Sequence, residues 1–249
     1  MTQVQSQHFK RGDLQYEGKA KQAYAVKGDE DKMWLSFKDS LTAFNALKKG
    51  SFEDKGKVNL SITEIIFNEL HKQDIKTHWV TRVGDTDLVV QKLEMIPLEV
   101  VIRNVLAGST AKKFEMQAGE VLNPPIYELF YKNDALGDPF INDSQALFLK
   151  AVTSQEDLLR IQKIALKINE ILQNIFKAID IQLVDFKIEF GWGKDGEIHL
   201  GDEISPDSCR LWEIGTGKVL DKDRFRKDMG EVKESYEVVL SRLQEKFKA

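Results

Sequence analysis

The chain has 249 residues, of which 42% are hydrophobic and 31% charged, and a formal net charge of −4. This composition is typical of a folded globular protein with one large core or two moderate ones, and it argues against a disordered chain. The mildly acidic balance argues against nucleic acid or an anionic membrane as a partner, whereas small anionic ligands fit local basic spots.

The N-terminal third is predicted to form a small α+β unit. Its opening segment, MTQVQSQHFKRGDL, lacks the apolar core of a targeting signal, and no apolar run in the sequence reaches membrane-spanning length. YEGKAKQAYAV and MWLSF predict a pair of strands around KGDED, and THWVTRV and LVVQKL predict a second pair across GDTD. Between these pairs, helical spacing predicts an amphipathic helix that covers one face of the sheet through Val58, Ile62, Ile65, Ile66 and Leu70.

The middle of the chain begins with a change of pattern at Glu94-Met95-Ile96-Pro97, which predicts a hinge between two lobes. LEVVIR then predicts a buried strand, and residues 109–117 predict a short helix. LNPPIYELFYKNDALGDP is rich in turn-forming residues and predicts a loop. Thr153-Ser154-Gln155-Glu156 predicts a capping box, which opens a long helix with an isoleucine stripe at Ile161, Ile164, Ile168, Ile171, Ile175 and Ile179.

The C-terminal third contains LVDFKIEFG, residues 183–191, whose unbroken alternation predicts a strand with one apolar face. The other face carries an acid, a base and an acid at Asp185, Lys187 and Glu189. A turn at residues 194–196 leads into EIHLGDE, so the two segments should form a hairpin. A last helix is predicted from about Asp223, with an apolar face formed by Phe225, Met229, Val232, Tyr236, Val239 and Leu243.

This hairpin would place Glu189 and Asp202 on neighbouring strands, with Lys187 beside them. Two carboxylates suit Mg²⁺, which completes its coordination with water and phosphate oxygens. A lysine held charged by these acids can reach a phosphoryl oxygen. The alternative interpretation is a salt-bridged ladder on a solvated strand face, which antiparallel sheets often have.

Lys19 and Lys21 follow Gly18 and are two residues apart, so they should share one face of a strand and could bracket a polyphosphate. Lysines that protect an exposed edge strand would give the same pattern. The run KGK at residues 55–57 is a weaker signal of the same kind and is also consistent with a turn.

A second anion site is predicted where Arg103 ends an apolar strand and Ser109 opens a helix, because an arginine fork and free helix amides together bind phosphate. Ser109 could equally be a simple N-cap. Arg210, three residues after Asp207, is another candidate for binding an anion.

Other reactive residues give weaker signals. KNDALGDP contains Lys132, Asp134 and Asp138, although turn chemistry alone explains the aspartates. The four histidines lack metal-binding spacing, so we expect no zinc, and the single cysteine, Cys209, excludes an intramolecular disulfide and predicts a reducing, cytoplasmic compartment. Lysines, arginines and carboxylates therefore remain, and these are the groups that phosphoryl transfer uses.

These segments resemble the SAICAR synthetase (phosphoribosylaminoimidazole-succinocarboxamide synthase) family of purine biosynthesis. IPLEVVIRNVLAGS, residues 96–109, and LVDFKIEFG are similar to the two signature segments of that family. YEGKAK, KNDALGDP, GDEISPDSCRLW and DKDRFR follow the order and spacing of the family, so the resemblance covers nearly the whole chain.

The resemblance implies an α+β fold with mainly antiparallel sheets and flanking helices, two-lobed like ATP-grasp and kinase-like enzymes. ATP would occupy the cleft between an N-terminal lobe of residues 1–94 and a C-terminal lobe of residues 95–249. It also implies a Mg²⁺-dependent ligase that joins L-aspartate to carboxyaminoimidazole ribotide (CAIR) through an acyl phosphate, giving SAICAR, ADP and phosphate. A homo-oligomer is compatible with the resemblance, and we expect small molecules rather than nucleic acid or membranes as partners.

The resemblance further implies roles for individual residues. Glu189 and Asp202 would hold Mg²⁺. The residues implied to bind ATP are Lys19, Ala20, Lys21, Lys92, Met95, Lys132 and Lys187. The residues implied to bind the other substrates are Arg103, Ser109, Asp138, Asp207 and Arg210, and the implied catalytic residues are Lys187, Asp207 and Arg210.

The loop SLTAFNA departs from the family pattern, since Asn45 stands where many members have an acid, which leaves the role of this loop open. Two other functions fit a nucleotide site: a small-molecule kinase that phosphorylates a hydroxyl group, and a sensor or scaffold that binds ATP without turnover. Neither accounts for the second phosphate-type site at Arg103.

Overall fold

The computed structural model describes residues 9–43 and 47–247, so the predicted departure at Asn45 lies outside the described residues. The strands are β1 (Arg11–Glu17), β2 (Lys21–Val26), β3 (Asp29–Phe37), β4 (Ser40–Ala43), β5 (Lys48–Ser51), β6 (Trp79–Arg82), β7 (Asp87–Gln91), β8 (Glu94–Val105), β9 (Val121–Tyr131), β10 (Phe140–Ile141), β11 (Ile181–Trp192), β12 (Ile198–Gly201) and β13 (Cys209–Glu213). The helices are α1 (Lys55–His71), α2 (Gly108–Lys113), α3 (Asp143–Phe148), α4 (Gln155–Lys177), α5 (Asp223–Arg226) and α6 (Val232–Lys246). Within the described ranges, every helix is too short or too polar to cross a membrane.

Five strands form an antiparallel sheet in the order β1-β2-β3-β7-β6. The predicted pairs β2–β3 and β6–β7 are confirmed. YEGKAKQAYAV is not a single strand, however, because residues 18–20 form a turn between β1 and β2. The N–H of Gly18 donates to the carbonyl of Lys21 at 2.8 Å and closes this turn.

The other large sheet has the order β10-β9-β8-β11-β12, and β13 also pairs with β11. Strand β8 runs along one edge of β11, while β13 and β12 share the other edge. The change of structure expected at residues 94–97 lies slightly earlier, at residues 92–93, because Glu94 and Met95 already pair with Trp192 and Gly191.

The prediction of a loop over LNPPIYELFYKNDALGDP is wrong for the first half of this segment, because that half forms strand β9 and pairs with β8. The two strands pair regularly from Tyr131 to Ile126, but the register shifts before Val121. That irregular stretch contains Pro124 and Pro125, which have no N–H to donate to the sheet. KNDALGDP is the part that remains outside the strand.

The helices α1 and α4 confirm the two predicted amphipathic helices. The Oγ of Ser154 accepts the N–H of Asp157 at 3.1 Å, so the cap of α4 is Ser154, one residue later than the predicted box. The last predicted helix is interrupted between α5 and α6, because Gly230 and Glu231 adopt left-handed φ values of 69° and 48° that a continuous helix cannot contain.

The main hydrophobic core joins the six-stranded sheet to α1, α4 and α6, with Ile66, Ile168 and Tyr236 fully buried. From α1, Leu60 instead enters a second cluster with Phe37 of the five-stranded sheet. Helix α1 therefore packs against both large sheets.

The alternation predicted for LVDFKIEFG is wrong at its first two residues. The pairing of β11 with β13 shifts register between Leu183 and Asp185. As a result, Leu183 joins Phe186 in the main core, whereas Val184 packs in a separate cluster with Val105. An extra residue of this kind reverses the side-chain alternation of a strand.

Candidate active site

The predicted hairpin of β11 and β12 is confirmed, and it brings the two candidate metal ligands together. Glu189 pairs with Gly201, and Asp202 follows at the end of β12 with a left-handed φ of 56°. The Nζ of Lys187 lies 2.7 Å from Glu189 Oε1 and 3.6 Å from Asp202 Oδ2.

The acid-base-acid face of β11 is not a solvated ladder. Asp185 and Glu189 are 5% and 3% exposed, because β11 is a central strand with neighbours along both edges. A buried carboxylate without a cationic partner is very costly. The basic residues around this strand therefore have to be close to it.

Lys187 and Lys132 neutralise Glu189, and Lys187 Nζ also lies 3.0 Å from Glu99 Oε1. Burial opposes the charge of Lys187, but Glu189 and Asp202 outweigh it and raise the pKa of Lys187 well above its ordinary value. Lys187 is consequently a fixed positive charge at neutral pH.

Lys21 forms an ion pair with Asp202 and lies 3.2 Å from Glu203 Oε1. Burial favours neutral Asp202, but Lys21 and Lys187 outweigh burial and hold the pKa of this carboxyl well below its usual range. Because Lys21 belongs to β2 and Asp202 follows β12, this contact connects the two large sheets.

Lys19 and Lys21 do not share a strand face as predicted, because Lys19 lies in the turn that Gly18 closes. Lys19 points to Asp134, with Nζ 2.8 Å from Oδ1, in an exposed pair. Edge protection does not explain Lys21, which lies on an interior strand with its side chain 15% exposed.

A cavity of about 430 Å³ is bounded by residues of both sheets. Its apolar wall suits a flat base, and its charged wall suits phosphates. The apolar wall includes Ala23, Leu35, Val90 and Leu93. Glu189, Asp202 and Asp138 line it. All seven predicted ATP-binding residues line it as well: Lys19, Ala20, Lys21, Lys92, Met95, Lys132 and Lys187.

His78 also lines this cavity, and sequence reasoning missed it because THWVTRV was interpreted only as a strand. The ring is 5% exposed, and its Nε2 has no hydrogen-bond partner among the described residues. Burial, reinforced by the charge of Lys21, lowers the pKa of His78 to about 4. The imidazole is therefore neutral at physiological pH.

A second cavity, of about 350 Å³, is lined by Arg103, Arg210 and Arg226. Asp185 organises the first two: its Oδ2 lies 3.0 Å from Arg103 Nη1 and 2.7 Å from Arg210 Nη1. Strand pairing produces this arrangement, since Asp185 is opposite Arg103 of β8 on one side and Arg210 of β13 on the other. Burial opposes the charge of Arg210, but Asp185 and Asp223 outweigh it and raise its pKa.

Ser109 lies beside this arginine pair, with Arg103 Nη2 3.4 Å from its Oγ. The N-cap of α2 is Ala107, so Ser109 is not the cap. The preceding residue, Gly108, has a φ of 60°, and a Cβ there would lie only 2.7 Å from Arg210 Nη1. Glycine thus allows Arg210 to pack directly on the chain.

Asp207 lines both cavities and is held by a buried network that the sequence did not reveal. Its carboxylate lies 2.5 Å from Lys55 Nζ and accepts hydrogen bonds from Asn59 at 3.1 Å and Tyr236 at 2.7 Å. Lys55 belongs to the KGK run that was consistent with a simple turn, and it is only 1% exposed.

Glu189 and Asp202 fit a magnesium ion better than a zinc ion. Among the described residues, no group of three or more His, Cys, Asp or Glu side chains is arranged to hold a metal. Mg²⁺ needs only one or two protein carboxylates when phosphates complete its coordination, and these two carboxylates line the cavity that suits phosphates.

Comparison with known proteins decides the family. A family model described as SAICAR synthetase matches residues 14–243. The chain belongs to the SAICAR synthetase family.

A relative in this family is phosphoribosylaminoimidazole-succinocarboxamide synthase from Oceanobacillus iheyensis, 50% identical over 231 residues that cover 93% of this chain and 97% of that protein. The crystal structure of the synthase from Ehrlichia chaffeensis superimposes with a TM-score of 0.90 at 40% identity, covering 93% of this chain and 98% of the other. A SAICAR synthetase structure in complex with ADP gives a TM-score of 0.89 at 46% identity, covering 94% and 99%. The family assignment confirms the resemblance based on the two signature segments.

Proposed function

We propose that this member of the SAICAR synthetase family joins L-aspartate to the carboxylate of CAIR at the expense of ATP, giving SAICAR, ADP and phosphate. One observation carries the proposal: the cavity suited to a nucleotide and the cavity lined by arginines meet. The residues that line both are Lys19, Glu99, Lys187, Asp207, Ser208 and Lys222. A phosphoryl group can therefore pass from one ligand to the other without leaving the site.

The proposed reaction has two steps. An oxygen of the CAIR carboxylate attacks the γ-phosphorus of ATP, and the bond from that phosphorus to the ADP oxygen breaks. The amine of aspartate then attacks the acyl carbon, the carbon–oxygen bond breaks, and phosphate leaves while the amine loses a proton. Positioning and charge neutralisation supply most of the catalysis in such phosphoryl transfers.

In this reaction Lys19, Lys21 and Lys132 bind the phosphates of ATP, while Ala20, Lys92 and Met95 contact the nucleoside. Lys187 neutralises charge where the cavities meet. Glu189 and Asp202 would hold a magnesium ion, which would supply positive charge to offset the negative charge of the phosphates.

We assign the ribotide 5′-phosphate to Arg103 and Ser109, and the neighbouring Arg210 to orienting the ribotide or aspartate. The arginines already share one carboxylate, Asp185, so their guanidinium groups are oriented before an anion arrives. Asp207 and Asp138 orient the remaining groups of the ribotide or of aspartate.

The proposal includes an ATP-grasp-like, two-lobed arrangement, with residues 1–94 and 95–249 as lobes. The chain leaves the five-stranded sheet after β7 and enters the six-stranded sheet with β8, and this crossing at residues 92–93 supports the division. It also includes a homo-oligomer by resemblance to the family, which light scattering of the purified protein would measure.

ADP release tests the proposed function directly. With Mg-ATP and CAIR, we expect fast release only when L-aspartate is present, with an equal amount of SAICAR formed. ADP release that does not depend on aspartate, together with a stable phosphorylated product, would indicate a kinase. No release with any of these substrates would indicate a nucleotide-binding protein without turnover.

A further inference from the structure

Lys222 occupies the junction of the two cavities and lines both of them. It precedes α5, and its N–H donates to the carbonyl of Pro206 at 3.1 Å, which fixes its backbone beside the loop that carries Asp207. The side chain is 15% exposed, so most of it is withdrawn from water.

The charge of Lys222 is poorly compensated. Within residues 9–43 and 47–247, the nearest carboxylate oxygen to Lys222 Nζ is Asp207 Oδ1, 4.0 Å away. That same carboxylate is already neutralised by Lys55 at 2.5 Å, and its Oδ1 accepts the hydroxyl of Tyr236 at 2.7 Å. Buried Lys55 and largely buried Lys222 therefore face the same carboxylate, which leaves one positive charge in excess around Asp207.

Two other cations that line the cavities, Lys187 and Arg210, differ from Lys222 in this respect. Lys187 Nζ has three carboxylates within 3.6 Å, and Arg210 has two within 3.1 Å. Burial lowers the pKa of Lys222, with Lys55 and Arg226 adding to this effect and Asp207 and the more distant Glu203 opposing it. A largely buried cation in excess at the meeting point of two ligand cavities is complementary to an anion that arrives with the ligands.

Resting on the proposed function, we propose that Lys222 is a catalytic residue that binds an oxyanion of the reacting groups at this junction. Two sources have this chemistry: the phosphoryl group during its transfer, and a carboxylate of the incoming amino acid. In either case the positive charge of Lys222 serves to bind a ligand and not to stabilise the fold.

Steady-state kinetics of Lys222→Met and Lys222→Arg test this role, with Lys218→Met as the matched control. Lys218 lines neither cavity, and its side chain is 45% exposed in a surface pair with Glu231. We expect Lys222→Met to lose about 10²-fold in kcat/KM, the scale for one preorganised electrostatic group. Lys222→Arg should recover part of this loss, and Lys218→Met should match the wild type.

The separate constants distinguish the two sources. A fall in kcat with unchanged KM values for ATP, CAIR and L-aspartate would assign Lys222 to the transferring phosphoryl group. A rise confined to the KM of L-aspartate would assign it to the amino-acid carboxylate. Wild-type kinetics in Lys222→Met would overturn the proposal.

Thermal unfolding separates this role from a structural one. Because the charge is in excess, Lys222→Met should unfold at a temperature equal to or above that of the wild type, while losing activity. A Tm lowered to the same extent in Lys222→Met and Lys222→Arg, with activity lost only in proportion to unfolded protein, would also contradict the proposal. Absence of ADP release by the wild type itself would instead remove the proposed function, whatever the variants do.

Discussion

Glu189 and Asp185 show how residue-scale chemistry depends on burial. The sequence pattern of their strand is the same as that of a solvated antiparallel strand, yet both carboxylates are nearly inaccessible to water. Lysines and arginines surround these acids: Glu189 raises the pKa of Lys187, and Asp185 raises the pKa of Arg210. Single substitutions at this scale should therefore change turnover or binding in separable ways.

Glu189→Gln keeps the size of the side chain and removes one carboxylate from the proposed magnesium site. We expect turnover to fall by about 10²-fold or more, the usual effect of losing a preorganised electrostatic group. The measurement is kcat as a function of Mg²⁺ concentration. Unchanged kinetics at limiting Mg²⁺ would show that Glu189 does not hold the metal.

Arg103→Lys keeps the charge but loses the planar fork that contacts Asp185 and Glu128. We expect binding of the ribotide to weaken by about 1.5 to 3 kcal/mol, the range for a hydrogen bond to a charged group. The KM of CAIR should rise while the KM of ATP stays constant. A change confined to ATP would place the ribotide phosphate elsewhere.

Asp221 has a role in stability that depends on pH. It is fully buried and accepts the N–H groups of Leu211 and Asp223, each at 2.7 Å. Burial raises its pKa to about 7, so the folded protein retains a proton that the unfolded chain releases near pH 4. Its contribution to stability is therefore complete below the pKa of the unfolded chain and is lost as the pH rises through about 7.

Asp221→Asn cannot ionise and should remove this dependence. Urea unfolding between pH 5 and pH 8 measures it. The free energy of unfolding of the wild type, relative to the variant, should fall as the pH rises, by roughly 1.4 kcal/mol per pH unit below the folded pKa. A constant difference across this range would mean that Asp221 is ionised throughout.

At the scale of elements, strand pairing and one glycine set the arginine site. β8 and β13 pair with opposite edges of β11, which delivers Arg103 and Arg210 to the same carboxylate. Gly108 then admits the guanidinium of Arg210 at a distance that no side chain would allow.

Gly108→Ala tests this close approach, and Gly28→Ala is its matched control. Both glycines have positive φ, 60° and 79°, so each alanine should cost roughly 1–2 kcal/mol of backbone strain. Only at position 108 would the new Cβ meet a side chain, since nothing lies within 4 Å of it at position 28. We expect the KM of CAIR to rise in Gly108→Ala alone, and equal kinetics in the two variants would contradict the assigned contact.

At the scale of the whole molecule, helix α1 connects the two sheets. Leu60 packs in the cluster of the five-stranded sheet, and Ile66 packs in the main core. Lys21 adds an ionic contact from the first sheet to Asp202 beside the second. These contacts predict that both sheets unfold together.

Leu60→Ala and Ile66→Ala should each cost about 2–5 kcal/mol and lower the Tm by roughly 4–20 °C in one shared transition. Tryptophan fluorescence follows both sheets, because Trp34 and Trp79 lie in one and Trp192 and Trp212 in the other. Leu159→Ala, at a position 57% exposed, is the control and should change little. Two separate transitions, each sensitive to only one substitution, would show that the sheets unfold independently.

Much of the local structure follows from the sequence alone. The strand pairs β2–β3, β6–β7 and β11–β12 and the helices α1 and α4 are predicted correctly, because periodicity and turn residues act between near neighbours. The signature segments also indicate the family. The predictions that failed are those where a distant partner decides: β9 is a strand despite its prolines because β8 pairs with it.

The site was predicted as a set of residue types, but its arrangement required the tertiary structure. Periodicity could not show that the polar face of β11 is buried, since burial depends on strands that pair with it from other parts of the chain. Lys55 and Tyr236 reach Asp207 from α1 and α6, and Lys222 lies at the junction of two cavities. Sequence patterns record contacts between near neighbours, whereas charge compensation in a buried site depends on which distant residues share the same low-dielectric space.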